Sequence, residues 1–139
     1  MVKRPQADSG NDGSSEMASA LLLWIGPPNL SARLPLAPIL QSLPDVSRVS
    51  ELRSVSYAML KKSLDCGRPP DAVLSPLFWR GGDATETAGF LRSLGYDGAY
   101  RIVSPRLPRP EIVVGELRVI CPETDIQIVE MPELSWLAA

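Results

Sequence analysis

From Leu21 onward the chain alternates short, nearly continuous apolar runs with longer stretches whose apolar residues recur at helical spacing. Such alternation is the pattern of a parallel sheet whose successive strands are joined by crossover helices. It predicts strands over residues 21–25, 46–51, 72–77, 100–103 and 125–130, and helices over 34–43, 56–65, 84–94 and 110–121. The first and third runs, Leu21-Leu22-Leu23-Trp24-Ile25 and Ala72-Val73-Leu74, are almost free of polar residues, as strands are when helices cover both faces of a sheet. They belong in the middle. The second and fifth, with Ser47-Arg48 and Ile126-Gln127-Ile128, mix polar residues into the pattern and read as sheet edges.

Helix start and stop signals agree with these boundaries. Asp83 can cap a helix beginning at Ala84, with Glu86 three residues further on, and Gly95 follows as a stop. Pro110 suits a first helical position, where its missing N–H costs little. Pro35 and Pro38 fall inside the predicted 34–43 helix and imply a late start or a kink. The whole distribution fits a single α/β domain with five parallel strands in the order 2-1-3-4-5 of flavodoxin-like folds. Ahead of it, residues 1–17 are rich in Gly, Ser, Asp and Asn and lack an apolar period, so the domain is expected over 18–139 with a disordered leader. A start at Met17, directly before the first apolar run, is the alternative reading of that leader.

Composition narrows the function classes. With 139 residues, 45% of them hydrophobic and 22% charged, the chain has the material for one soluble globular domain with a sizeable core. Its 14 basic and 16 acidic residues are interspersed and leave a net charge of −2, which gives no electrostatic case for binding nucleic acid or an anionic membrane. The apolar run 18–25 is too short to span a bilayer. Cys66 and Cys121 lie far apart without a Cys-x-x-Cys spacing, which points to buried, reduced thiols in a cytoplasmic protein. There is no histidine at all, so Ser–His and Cys–His catalysis are excluded and the commonest metal ligand is missing. Neither Gly26-Pro27-Pro28 nor Gly81-Gly82 makes a phosphate-cradling loop. No catalytic residue and no cofactor is predicted.

One stretch carries a resemblance. Pro70-Asp71-Ala72-Val73-Leu74-Ser75-Pro76, followed by Arg80-Gly81-Gly82-Asp83, resembles the receiver domains of response regulators, which have a similar Pro-Asp, an apolar strand, a phospho-accepting aspartate and a loop reading Pro-Gly-x-Asp-Gly. The aspartate falls on Pro76. The resemblance places the family's acidic pair on Ile25, Gly26 and Pro27, its hydroxyl on Ser104, and its lysine on Met131, before Pro132. Mg²⁺ requires hard oxygen ligands, which Gly26 and Pro27 do not bring, so no metal is expected. Ser75, beside the vacated position, is either an unconventional phosphosite or a buried serine bonded to backbone. What the resemblance implies is therefore a pseudo-receiver, a non-phosphorylatable domain acting in signal transduction through protein contacts.

Two surface candidates follow. Arg53, Arg80, Arg106 and Arg109 come after successive strands and would project from the carboxyl edge of the sheet, close to the helix start at Pro110. Guanidiniums and free backbone N–H groups there could hold an anion; the alternative is that they are solvated or paired with Asp83, Glu51 and Glu133. Trp79 is either an interaction anchor or a lid folded over the vacated pocket. In the last helix, at about 100° per residue, Val113, Leu117 and Ile120 form a sheet-facing side, and Ile112, Gly115 and Val119 form a second apolar arc. Only residues 133–139 stand where a receiver has its fifth helix, so apolar surface on the fourth and fifth units is expected to remain for a partner. The second arc, with Leu134, Trp136 and Leu137, is the predicted homodimer or partner face; the alternative is a tail folded back over the arc. The end Trp136-Leu137-Ala138-Ala139 also resembles bacterial degradation tags, or is a plain apolar end. The predicted function is a receiver-like signalling module that works as a dimer or with a protein partner, and the second reading is a sensor of a small anionic ligand.

Overall fold

The computed structural model describes residues 19–44, 46, 48–65 and 69–131. β1 (Ser19–Trp24) leads through two short helices, α1 (Pro28–Ser31) and α2 (Ala37–Gln41), to β2 (Arg48–Ser54). There follow α3 (Tyr57–Asp65), β3 (Ala72–Pro76), the short strands β4 (Phe78–Trp79) and β5 (Gly82–Asp83), and α4 (Ala84–Ser93). β6 (Ala99–Ser104), α5 (Pro110–Ile120) and β7 (Asp125–Glu130) complete the described chain. Five strands form a sheet in the order β2-β1-β3-β6-β7, with every neighbouring pair parallel. The polar-patterned strands β2 and β7 lie at its edges.

Two features depart from the pattern-based expectation. The helix expected over 34–43 starts late, as Pro35 and Pro38 imply, with only Ala37–Gln41 helical there, and a separate single-turn helix, α1, precedes it at Pro28–Ser31. Pro28 and Pro38 instead occupy first-turn positions of α1 and α2, where no N–H is needed. The second departure is the antiparallel pair β4–β5, with Phe78 opposite Asp83 and Trp79 opposite Gly82 around Arg80-Gly81. This hairpin sits between β3 and α4 and raises the chain numbering of the last two sheet strands.

Where the local signals were strong the geometry matches them. Asp83 caps α4 by accepting from the Glu86 N–H at 2.8 Å. Gly95 ends that helix at φ 71, with the Tyr96 N–H donating to the Leu91 carbonyl and the Gly95 N–H to the Arg92 carbonyl, each at 3.0 Å. Glycine reaches this left-handed conformation without the Cβ penalty.

The sheet is covered on both faces. On the first face Leu23, Val73, Tyr100, Ile102 and Ile126 pack with Leu60, Leu91 and Leu117 from the long helices. On the second, Leu22, Trp24, Leu74, Val103, Val129 and Met131 share a cluster with Leu30, Leu34, Ile39 and Leu43. The expectation that β6 and β7 would leave apolar surface uncovered is thus not met on the second face, where Val103, Val129 and Met131 are buried. Leucines from the segment around α1 and α2 join them in one core. Pro132, Leu134, Trp136 and Leu137, with the rest of the tail, lie outside the described residues, as does the leader.

Arg101 is the one charged side chain fully buried among the described residues. It alternates with Tyr100 and Ile102, which belong to the first face, so it points to the second. Its Nε donates to Ser42 Oγ at 2.9 Å, and one terminal nitrogen donates to the Ser42 carbonyl at 2.8 Å and to Asp125 Oδ2 at 2.9 Å. The other donates to the Asp125 carbonyl at 2.6 Å and, more weakly, to the Tyr100 carbonyl at 3.5 Å. All five guanidinium N–H groups therefore have an acceptor. The Asp125 side chain is 55% exposed and keeps part of its hydration, which lowers the desolvation cost of the ion pair.

Replacing Arg101 by Ala should destabilise the fold by about 3 kcal/mol, since it leaves a void and orphans the Ser42 and Asp125 carbonyls. Arg101→Met should recover part of that loss by filling the space. Urea unfolding of the three proteins measures both, and an Ala variant as stable as wild type would contradict the assignment.

Candidate functional site

In open α/β sheets ligands bind beyond the carboxyl ends of the strands. At this edge β1 ends on Trp24, which is fully buried and donates its indole N–H to the Pro27 carbonyl at 2.9 Å. Pairing between β1 and β3 stops at Trp24 and Leu74, with one further bond from the Ile25 N–H to the Leu74 carbonyl. Pro76 can therefore end a central strand: its ring faces the side from which β1 has turned away, and no acceptor waits there for a missing N–H. On the other side, the Leu77 N–H still donates to the Val103 carbonyl at 3.2 Å.

Gly26 closes the turn against Pro76. A Cβ on Gly26 would stand 2.8 Å from Pro76 Cδ and 3.0 Å from the Trp24 ring, too close for any side chain. The positions that the receiver resemblance assigns to the acidic pair and the phospho-acceptor are thus in mutual contact and filled with apolar atoms. Sequence reasoning saw that Gly26, Pro27 and Pro76 lack carboxylates, but it did not foresee that Trp24 fills the space.

The remaining residues of that pocket are internally satisfied. Ser75 is fully buried, its Oγ lies 2.9 Å from the Pro76 carbonyl, to which it donates, and 2.6 Å from the Tyr100 hydroxyl. Ser104 is also buried and donates to the Pro105 carbonyl at 2.7 Å. The buried Met131 donates its N–H to the Ser104 carbonyl at 2.7 Å. Beneath Ser75 lies further hydroxyl pairing: Thr87 Oγ1 donates to the Asp83 carbonyl at 3.0 Å and meets the Tyr57 hydroxyl at 2.9 Å. Donation can run from Tyr100 to Ser75 to a carbonyl, and from Tyr57 to Thr87 to a carbonyl, leaving no hydroxyl hydrogen unpaired. Such a network holds α3, α4 and the central strands in register; it has no free nucleophile.

The four arginines are not gathered into one site. Arg53 pairs with Glu51 at 2.8 Å on exposed β2. Arg80 lies in the β4–β5 turn and Arg109 precedes α5, both exposed. Arg106, also exposed, lines a cleft of about 240 Å³ with Pro76, Phe78, Val103, Pro105 and Leu107. The carboxylate of Glu130 accepts from the Leu107 N–H at 3.1 Å, so part of this edge already holds an internal anion.

Trp79 is half-buried and packs on the first-face core, with its ring near Gly82, so it does not project as a free anchor. Its neighbour Phe78 is the exposed aromatic, at 68%. Sequence reasoning missed Phe78; the only signal was an apolar run, Leu77-Phe78-Trp79, that outlasts the strand before a glycine pair. On α5, Leu117 is buried and Val113, Val114 and Ile120 pack against the core. Ile112 and Val119 stand 48% and 79% exposed, with exposed Gly115 between them.

Among the described residues no cluster of three or more His, Cys, Asp or Glu side chains is placed to hold a metal ion, and no helix is long and apolar enough to cross a membrane. Cys121 is buried, and burial raises its thiol above the usual range; Cys66 lies outside the described residues. No protein-family model matches the chain, and no curated protein matches it.

Burial also pushes the phenols of Tyr96 and Tyr100 well above their ordinary value, and that of Tyr57 upward. The unfolded chain ionises these groups near pH 10, while the folded state keeps them protonated. Their contribution is present in full below about pH 10 and is lost as pH rises through the higher folded values. Phenolate absorbance from Tyr96 and Tyr100 should therefore appear only together with unfolding in an alkaline titration. Independent titration of all three tyrosines near pH 10, with native circular dichroism retained, would rule out the buried network.

Proposed function

We propose that this chain is a flavodoxin-like, receiver-like signalling module without phosphotransfer that acts through protein contacts as a homodimer. The observation that carries the reading is the closed contact of Trp24, Gly26 and Pro76 at the carboxyl ends of β1 and β3. It supports a domain that keeps the frame of a receiver but has no room for a metal shell or a phosphoryl group there. The dimer rests on α5, whose Ile112–Gly115–Val119 stripe is apolar where a solvated helix would be polar. A two-fold axis through such a stripe pairs it with itself. The alternative, a small-anion sensor, keeps one supporting observation: Arg106 lines a cleft at the sheet edge. With Arg53 in an ion pair, it is the weaker reading.

Incubation of the purified chain with acetyl phosphate and Mg²⁺ should leave its intact mass unchanged, and a stable phosphoryl adduct would overturn the proposal. Light scattering on a size-exclusion column should give a dimer that becomes a folded monomer in Ile112→Asp/Val119→Asp. Both residues are exposed, so the variant should keep its melting temperature within a few degrees. A wild type that stays monomeric at high concentration would remove the dimer from the reading.

A further inference from the structure

We propose that the cleft at the carboxyl ends of β3 and β6 is a docking site for a peptide segment of a partner protein, one in which a large apolar side chain stands beside a carboxylate. This inference rests on the reading of the chain as an interaction module, and assigns it a second surface, separate from α5. The cleft measures about 240 Å³ and is walled by Pro76, Phe78, Val103, Pro105 and Leu107, with Arg106 as its charged wall. Apart from Arg106 and Ser104, whose hydroxyl is spent on the Pro105 carbonyl, its lining is apolar, which suits the insertion of one large hydrocarbon side chain and does not suit inorganic phosphate.

Both walls are fixed before anything binds. On one side the Leu77 N–H is bonded to the Val103 carbonyl and the Ala84 N–H to the Leu77 carbonyl at 2.9 Å. On the other the Met131 N–H holds the Ser104 carbonyl, and Ser104 Oγ holds the Pro105 carbonyl, each at 2.7 Å. Pro76 and Pro105 restrict the backbone further. A cleft that does not collapse spares a ligand the ordering cost that weakens flexible sites.

The rim chemistry selects the partner. Phe78 is 68% exposed at the mouth, and aromatic and arginine residues dominate binding hot spots. Arg106 forms part of the wall, while Arg80 is two residues beyond Phe78 and Arg109 two beyond Leu107. Among the described residues none of these three guanidiniums makes a hydrogen bond or ion pair. The one carboxylate bonded at this rim, that of Glu130, is held by the Leu107 N–H. The unpaired charge of Arg106 beside an apolar mouth complements a segment with Asp or Glu next to Phe, Trp or Leu.

The test is a random heptapeptide display library panned on the full chain, with Phe78→Glu for counter-selection. Enriched sequences should place an acidic residue within two positions of Phe, Trp or Leu. A synthetic peptide of that sequence should bind wild type, weaken as salt is raised, and lose roughly tenfold or more on Arg106→Glu or Phe78→Glu. Both side chains are exposed, and melting curves verify that the variants fold. The α5 variant Ile112→Asp/Val119→Asp should bind the peptide as wild type does, so a failed dimer and a failed cleft are separable. Enriched sequences without acid, equal binding to the two cleft variants, or competition by free phenylacetate at the peptide's own concentration would each overturn the proposal.

Discussion

A guanidinium cut off from water must find acceptors for all of its N–H groups, and Arg101 finds them at the end of α2, at the start of β7 and on its own strand. Ser42 closes a helix of only five residues, and Asp125 opens the edge strand β7. Short helices bury little apolar surface and are marginal alone. The second face of the sheet is built with two of them, and the hydrogen bonds from β6 tie the end of α2 to that face. Removing the charge from this core removes a specification of where α2 ends as well as an attraction.

The regular part of the fold was legible because burial on both faces forces a recognisable composition. Ala72-Val73-Leu74 and Leu21-Leu22-Leu23 could hardly be anything but interior strands, and Asp83 with Glu86 announced α4. The hairpin was not legible, since two-residue strands are too short to establish any period. Nor was the role of Arg101, because its partner Ser42 lies 59 positions away and an arginine in a short run reads as an ordinary surface residue. The late start of the helix expected over 34–43 was foreshadowed by Pro35 and Pro38, but the separate turn at Pro28–Ser31 was not.

At the candidate site the sequence revealed what is missing more readily than what takes its place. The absence of carboxylates at Gly26, Pro27 and Pro76 can be read directly along the chain. The filling of the space by Trp24 depends on how far Pro76 leans toward the turn, a distance that no pattern encodes. Projecting the arginines to one edge was sound topology, yet whether each is free depends on neighbours, and Glu51 is near enough to hold Arg53. The exposed Phe78 and the half-buried Trp79 differ by one residue, and only the alternation imposed by the hairpin decides which of them faces outward.

The contact between Gly26 and Pro76 also limits which substitutions the chain can accept. Aspartate at residue 26 would push its Cβ into the proline ring at 2.8 Å. A side chain at residue 26 is therefore accommodated only if Pro76 gives way as well. The two positions are interlocked: residue 26 can change only after residue 76 has, whereas substitutions on the outer surfaces escape that constraint.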